Sequence, residues 1–189
     1  MGHVGVFSFG APKIITTGQG GCIITNDIAL SERIHAIKNF GRTVGVGEVY
    51  NVMGMNFKFT DIQASFGVEQ MRKLPEIVER KKEIYELYWR ELSDVVDFVP
   101  TDLLEATPTY PEILVENRDE LAEHLRGMHI GCRAVYDSLT AQPFHSKWKT
   151  ATPTTDYIGA RGLQLPGQAD LLDYDIMEIC QVIRDFYKP

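Results

Sequence analysis

Residues 7–21 read FSFGAPKIITTGQGG. One lysine, Lys13, stands between an apolar run and a glycine-rich turn. Val4 to Phe9 (VGVFSF) reads as a short, nearly continuous apolar strand of the kind buried on both faces. Gly10 and Pro12 end it. Cys22 to Thr25 (CIIT) reads as a second strand. A lysine in this position raises a chemical question. A buried ammonium is costly, so its pKa falls unless it is paired. A lowered pKa suits Schiff-base chemistry, because only the neutral amine attacks a carbonyl. Ser8 lies five residues earlier, and its hydroxyl could donate to an anion such as a phosphate. Thr16, Thr17 and the Gly18–Gly21 turn add small donors and a permissive backbone. Spacing alone still leaves an ordinary surface lysine as the plainer reading. The stretch is not a Walker A loop, since no GK[ST] follows the glycines.

Working outward, the chain of 189 residues is 44% hydrophobic and 24% charged, the balance of a globular protein with a real core. Its length allows one ordinary domain or two small ones. A net charge of −7 argues against general nucleic-acid binding, which needs a basic footprint. Cys22, Cys132 and Cys180 are widely spaced and odd in number, so neither a disulfide framework nor a zinc site is expected. The five histidines form no metal-ligand pattern. No basic n-region and long apolar h-region open the chain. No run approaches the ~20 apolar residues of a membrane span. The expected location is the cytoplasm, with no membrane and no nucleic-acid partner.

Asn26 and Asp27 supply cap chemistry for a helix that includes Ser31–Asn39. Residues 41–56 are glycine-rich and irregular. Thr60 with Gln63 fits a capping box opening the next helix, with Ile62, Phe66, Met71 and Leu74 available for its apolar face. Pro75 suits the first turn of a further helix running to about Leu92. Ile77, Ile84, Tyr85, Tyr88, Trp89 and Leu92 form one broad stripe on it, expected to be core or subunit packing. The second half reads as strand (109–115), helix (118–128), strand (130–136), polar loop (138–153), a short helix before Arg161, an extended piece (163–166) and a final helix capped by Asp173. Ile176, Ile179, Ile183 and Phe186 mark its apolar face.

Several strings together resemble one family. FSFGAPKIITTGQGGCIITND resembles the Schiff-base segment of the sugar aminotransferases of the DegT/DnrJ/EryC1/StrS family, fold-type I enzymes that use pyridoxal 5'-phosphate (PLP). GMNFKFTDIQASFGVEQMRKL (54–74) resembles that family's G-x-N-x-R-x-T-x-x-x-A segment. IGCRAVYDSLTAQP (130–143) and RGLQLPGQADLLDYDI (161–176) resemble its C-terminal domain. The resemblance runs in order over essentially the whole chain. It implies an α/β fold: a partial PLP-transferase fold of type I. Residues 1–59 would be a remnant of the PLP-binding large domain. Residues 60–189 would be the C-terminal small α+β domain.

The resemblance also implies roles. Lys13 would form the Schiff base with PLP. Ser8 would hydrogen-bond the PLP phosphate. Asn56 would reach the phosphate of a neighbouring subunit's cofactor, making a homodimer part of the site. Arg133 could contact a substrate anion, although a structural salt bridge serves equally well. The substrates would be a nucleotide-linked keto-deoxysugar and an amino-acid donor, usually glutamate. Three positions depart from the pattern. Gln19 stands where Glu is usual, Lys58 where Arg is usual, and Thr140 where many members carry His. Lys13 itself argues against the related sugar dehydratases, which carry His there.

Members of this family are much longer, and their Schiff-base lysine lies near mid-chain. Here residues 1–12 alone precede Lys13. The Asp for the pyridine nitrogen, the aromatic that stacks on the ring and the first phosphate-binding turn are not in this sequence. The expectation is a C-terminal portion, as a split subunit or a fragment, completed by a chain that supplies the N-terminal half. The alternative is a catalytically inert assembly subunit built on the same scaffold. An apolar strand with few partners in its own chain invites pairing with another.

Overall fold

A computed structural model of the chain describes residues 2–43, 48–148 and 150–188. Of the glycine-rich run at 41–56, residues 44–47 lie outside the described residues. The chain divides into two compact units, Met1–Pro75 and Glu76–Pro189.

The first unit opens with β1 (Gly5–Ser8) and β2 (Gly21–Ile24). They pair antiparallel, Gly5 opposite Ile24 and Ser8 opposite Gly21. The expectation of a strand buried on both faces is not met within this chain: Val6 is 72% exposed and Ile24 56%. The apolar sequence is there, but among the described residues β1 pairs with β2 alone and its apolar side chains stay largely exposed. Helix α1 (Ile28–Lys38) starts where Asp27 Oδ1 accepts the Leu30 N–H at 3.0 Å, as the sequence indicates. Helix α2 (Asp61–Leu92) opens with the expected capping box. Thr60 N–H donates to Gln63 Oε1 at 3.2 Å, and Gln63 N–H donates to Thr60 Oγ1 at 3.3 Å.

Pro75 corrects the reading of two helices. It lies inside one continuous α2, where its missing N–H leaves the Met71 carbonyl without its usual partner. The remaining backbone ladder carries the helix through. The early apolar face also departs from expectation. Ile62, Phe66 and Met71 are exposed, while Ile84, Tyr85, Tyr88 and Leu92 further along are buried as expected. Trp89, counted with that stripe, is exposed.

The second unit is an antiparallel sheet of order β3-β4-β6-β5. Its strands are β3 (Asp97–Phe98), β4 (Glu112–Leu114), β5 (Arg133–Ala134) and β6 (Gly162–Gln164). Its helices are α3 (Arg118–Gly127), α4 (Pro153–Arg161) and α5 (Asp173–Phe186). Strands expected over 109–115 and 130–136 are shorter than the sequence suggests. Pro108 and Pro111 lack the N–H that ladder pairing needs. The loop expected at 138–153 contains two short 3-10 turns, Leu139–Ala141 and Pro143–Trp148. The α5 cap is Leu172, not Asp173; its N–H donates to Asp175 Oδ2 at 3.2 Å.

One core fills this unit. Ile84, Tyr88 and Leu92 of α2 meet Ile113 and Leu163 of the sheet, Leu121 and Leu125 of α3, and Ile176 and Ile183 of α5. Lys81 is buried beside it and donates to the carbonyls of Thr109 at 2.9 Å and Gly167 at 2.5 Å. Burial lowers its pKa, and the Asp170 charge opposes that shift. Among the described residues, no group of three or more His, Cys, Asp or Glu could hold a metal. No described helix is long and apolar enough to cross a membrane.

The Tyr88 hydroxyl is fully buried and has no hydrogen-bond partner among the described residues. Burial raises its pKa. An unmade buried hydrogen bond costs about 1–3 kcal/mol. We therefore expect Tyr88→Phe to raise the urea midpoint, by about 1 kcal/mol of stability or more. A drop of similar size would show that the hydroxyl has a partner.

Candidate functional site

The segment 9–20 joining β1 to β2 is closed by its own backbone. Phe9 N–H donates to Gly20 O at 2.8 Å, and Thr17 N–H to Phe9 O at 3.0 Å. Thr16 Oγ1 donates to the same Phe9 carbonyl at 3.0 Å and accepts the Gly18 N–H at 3.0 Å. Gly18 and Gly20 take positive φ, +77° and +141°, which glycine adopts without a Cβ penalty. A Cβ on Gly20 would come within 2.4 Å of the Phe59 ring.

Helix α2 then grips the loop. Gln70 Oε1 accepts the Thr16 N–H at 3.1 Å, and Gln63 Nε2 donates to the Gln19 carbonyl at 2.9 Å. From the sequence Gln63 is named for the helix cap and not for this contact, and Gln70 is not singled out. Their seven-residue spacing puts both on one helix face, and that was the available signal. An apolar groove of about 510 Å3 lies between loop and helix, lined by Phe9, Ile15, Phe59, Val68 and Met71. Its lining includes neither Ser8 nor Lys13.

Ser8, at the end of β1, and Lys13, in the loop, are each hydrogen-bonded to Gly10. Ser8 Oγ accepts the Gly10 N–H at 3.3 Å, and Lys13 N–H donates to Gly10 O at 3.1 Å. With its oxygen accepting from Gly10, the Ser8 hydroxyl keeps its own proton to donate outward. Lys13 is exposed in this chain, so the buried-amine expectation is not met here. Among the described residues its Nζ makes no hydrogen bond or ion pair. Gln19 enters the loop through its carbonyl, which also accepts from Thr17 Oγ1 at 2.9 Å.

Asn56 sits elsewhere in the first unit, in a bridge with Asn39. Its Oδ1 accepts the Lys58 N–H at 3.3 Å, and no hydrogen bond joins it to the Lys13 loop. Arg133 lies on β5 in the second unit, exposed, with its guanidinium 4.5 Å from the Tyr136 ring centre. Among the described residues it makes no ion pair, so the salt bridge weighed for it is not seen. Thr140 joins a hydroxyl cluster, 2.8 Å from Ser138 Oγ and 3.4 Å from Thr152 Oγ1.

Chemically, the loop offers a primary amine, an outward hydroxyl donor and a backbone fixed by glycines. That set suits a small phosphorylated aldehyde: the amine can condense with the carbonyl, and the hydroxyl can donate to the phosphate.

The comparisons bear on the same point. The family model of the DegT/DnrJ/EryC1/StrS aminotransferases matches residues 1–184. The chain belongs to this family. The family depends on PLP. GDP-perosamine synthase of Escherichia coli O157:H7 is 31% identical over 99% of this chain and 52% of its own length. The solved DegT/DnrJ/EryC1/StrS aminotransferase from Brucella abortus superposes with a TM-score of 0.92 at 27% identity, over all of this chain and 52% of its own. The aminotransferase TlmJ from Streptoalloteichus hindustanus gives 0.90 at 27% identity, over 97% of this chain and 52% of its own. The expected partial fold of type I is thus found. The chain spans about half the length of the relatives it matches.

Gly20→Ala tests the loop geometry. A Cβ at φ +141° is strained, at about 1–3 kcal/mol. We expect faster tryptic cleavage after Lys13 and a lower unfolding midpoint. Unchanged cleavage would mean that the turn does not hold the loop.

Proposed function

We propose that the chain is the C-terminal portion of a PLP-dependent aminotransferase acting on a nucleotide-linked keto-deoxysugar, with glutamate as amino donor. The observation that carries this reading is the closed loop that bears Lys13 and is tied through Gly10 to Ser8 at the end of β1. Family membership supports it. Relatives include GDP-perosamine synthases.

Lys13 would hold the cofactor covalently through Nζ. Ser8 would donate to its phosphate, and Asn56 would donate to the phosphate bound by a second subunit. When bound, PLP would take up the electron pair left as the donor loses its Cα proton. Lys13 Nζ, released from the cofactor when the donor's amine takes its place, would be free to accept that proton and return it to the neighbouring carbon. Arg133, whose guanidinium makes no ion pair among the described residues, would meet a substrate anion.

In this reading residues 1–59 belong to the cofactor-binding domain and 60–189 to the small domain. The exposed apolar faces of β1, β2 and early α2 support a further chain carrying the remainder of the fold. A two-stranded sheet alone is marginal in water.

The test is transamination by the assembled protein, supplied with PLP, glutamate and a nucleotide-linked keto-deoxysugar. We expect an aminated sugar, with Lys13→Ala lowering turnover at least about a hundredfold, the scale of a lost general base. Asn56→Ala should weaken PLP retention by roughly tenfold, the scale of a hydrogen bond to a charged group. Bound PLP without product from any keto-sugar or donor would favour the inert assembly subunit.

A further inference from the structure

Trp89 belongs to the α2 stripe expected to pack into a core or against a subunit, yet it is 53% exposed. It lies in the second unit, in a groove of about 890 Å3 lined by residues of α2 and of the segment 96–103. Tyr85, one turn before Trp89 on the same helix face, meets Phe98 edge to face, with ring centres 5.8 Å apart. Glu86, Ser93, Asp97 and Thr101 supply polar lining. No residue of the Lys13 loop takes part. A groove of this size suits a small molecule.

Two observations give the groove a chemistry. The first is its surplus of acceptors. The Tyr85 hydroxyl donates to Val99 O at 3.3 Å, and Thr101 Oγ1 donates to the same carbonyl at 3.0 Å. With those protons spent, each oxygen keeps only lone pairs. Glu86 and Asp97 are exposed and make no ion pair among the described residues. Arg90, the cation in the lining, is offset by Glu91 at 3.0 Å. The second observation is an uncovered aromatic face. Other exposed aromatics of this unit carry a cation of their own chain. Arg133 Cζ lies 4.5 Å from the Tyr136 ring centre, Lys147 Nζ 4.0 Å from that of Trp148, and Arg161 Cζ 4.3 Å from that of Tyr157. Among the described residues no cation covers Trp89, although a tryptophan face is the best of the aromatic platforms for one. Acceptors, unpaired carboxylates and an open tryptophan face together take a cationic hydrogen-bond donor.

We propose that this groove binds a sugar ring that carries a protonated amine. The Trp89 face takes the electropositive C–H groups of the ring, which match its negative π cloud. The ammonium pairs with the Glu86 and Asp97 carboxylates, and a ring hydroxyl donates to Thr101 Oγ1. An aminated sugar is also what the proposed reaction would make. Identifying the ligand with that product rests on the reading above; the site itself rests on the groove.

The direct test is a titration of the full chain with glucosamine, followed at the Trp89 indole N–H in 1H–15N spectra. Glucose, and ammonium chloride at matched ionic strength, are the controls. We expect a saturable Trp89 shift with glucosamine alone. Glu86→Gln combined with Asp97→Asn should weaken binding roughly tenfold or more, the scale of lost hydrogen bonds to a charged group. Trp89→Leu, read at the Ser93 amide, should abolish saturation, and Trp89→Tyr should retain it. No saturable shift with glucosamine, an equal shift with glucose or ammonium, or unchanged binding by the double variant overturns the proposal. A Trp89 signal that moves with protein concentration in the absence of sugar marks a second copy as the occupant and overturns it too. Glucosamine binding here with no covalent PLP on Lys13 would refute the proposed function and leave this site standing. An active transaminase whose Trp89 indole ignores glucosamine would do the reverse.

Discussion

Two glutamine side chains on one face of α2 hold the loop on which the account depends. Gln70 takes the Thr16 amide, and Gln63 reaches the Gln19 carbonyl. Lys13 makes no side-chain bond of its own among the described residues. The position of its amine is therefore inherited from the backbone, and the backbone is fixed by glycine turns and by those two contacts. Gln63 also closes the α2 capping box with Thr60. The start of the helix and the grip on the loop are one local structure.

The two units differ in how completely their own residues bury apolar surface. The second has a closed core in which α2, α3 and α5 cover one sheet. Burial of side chains such as Ile113 and Leu163, each worth about 1.5–3 kcal/mol, stabilises it. The first carries Val6, Phe7, Ile23, Ile24, Ile62 and Phe66 on its surface. Contiguous apolar surface of this kind marks an interaction surface. The same unit holds Lys13 and Asn56, so the proposed chemistry and the exposed apolar surface fall in one unit.

What was legible in the sequence was local. The Asp27 cap and the Thr60–Gln63 box depend on residues within one turn, and both form as read. Elements set by distant contacts were less legible. The burial of VGVFSF depends on what covers it, and among the described residues Val6 and Phe7 stay exposed. Pro75 fits a helix start and a tolerated interior position equally well; only the finished helix distinguishes them. Strand β3, at Asp97–Phe98, is too short to show a period. For the site, the string around Lys13 carried the family, while the contacts of Gln63 and Gln70 to the loop needed coordinates. The place of the Arg133 guanidinium over the Tyr136 ring likewise became visible only once its surroundings were placed.

The most direct measurement is borohydride reduction of the assembled protein after incubation with PLP, followed by peptide mass mapping. The account predicts one pyridoxyl group, on the peptide containing Lys13. A folded, assembled protein that carries none, or that carries it on another lysine, would contradict the assignment of this loop as the cofactor site.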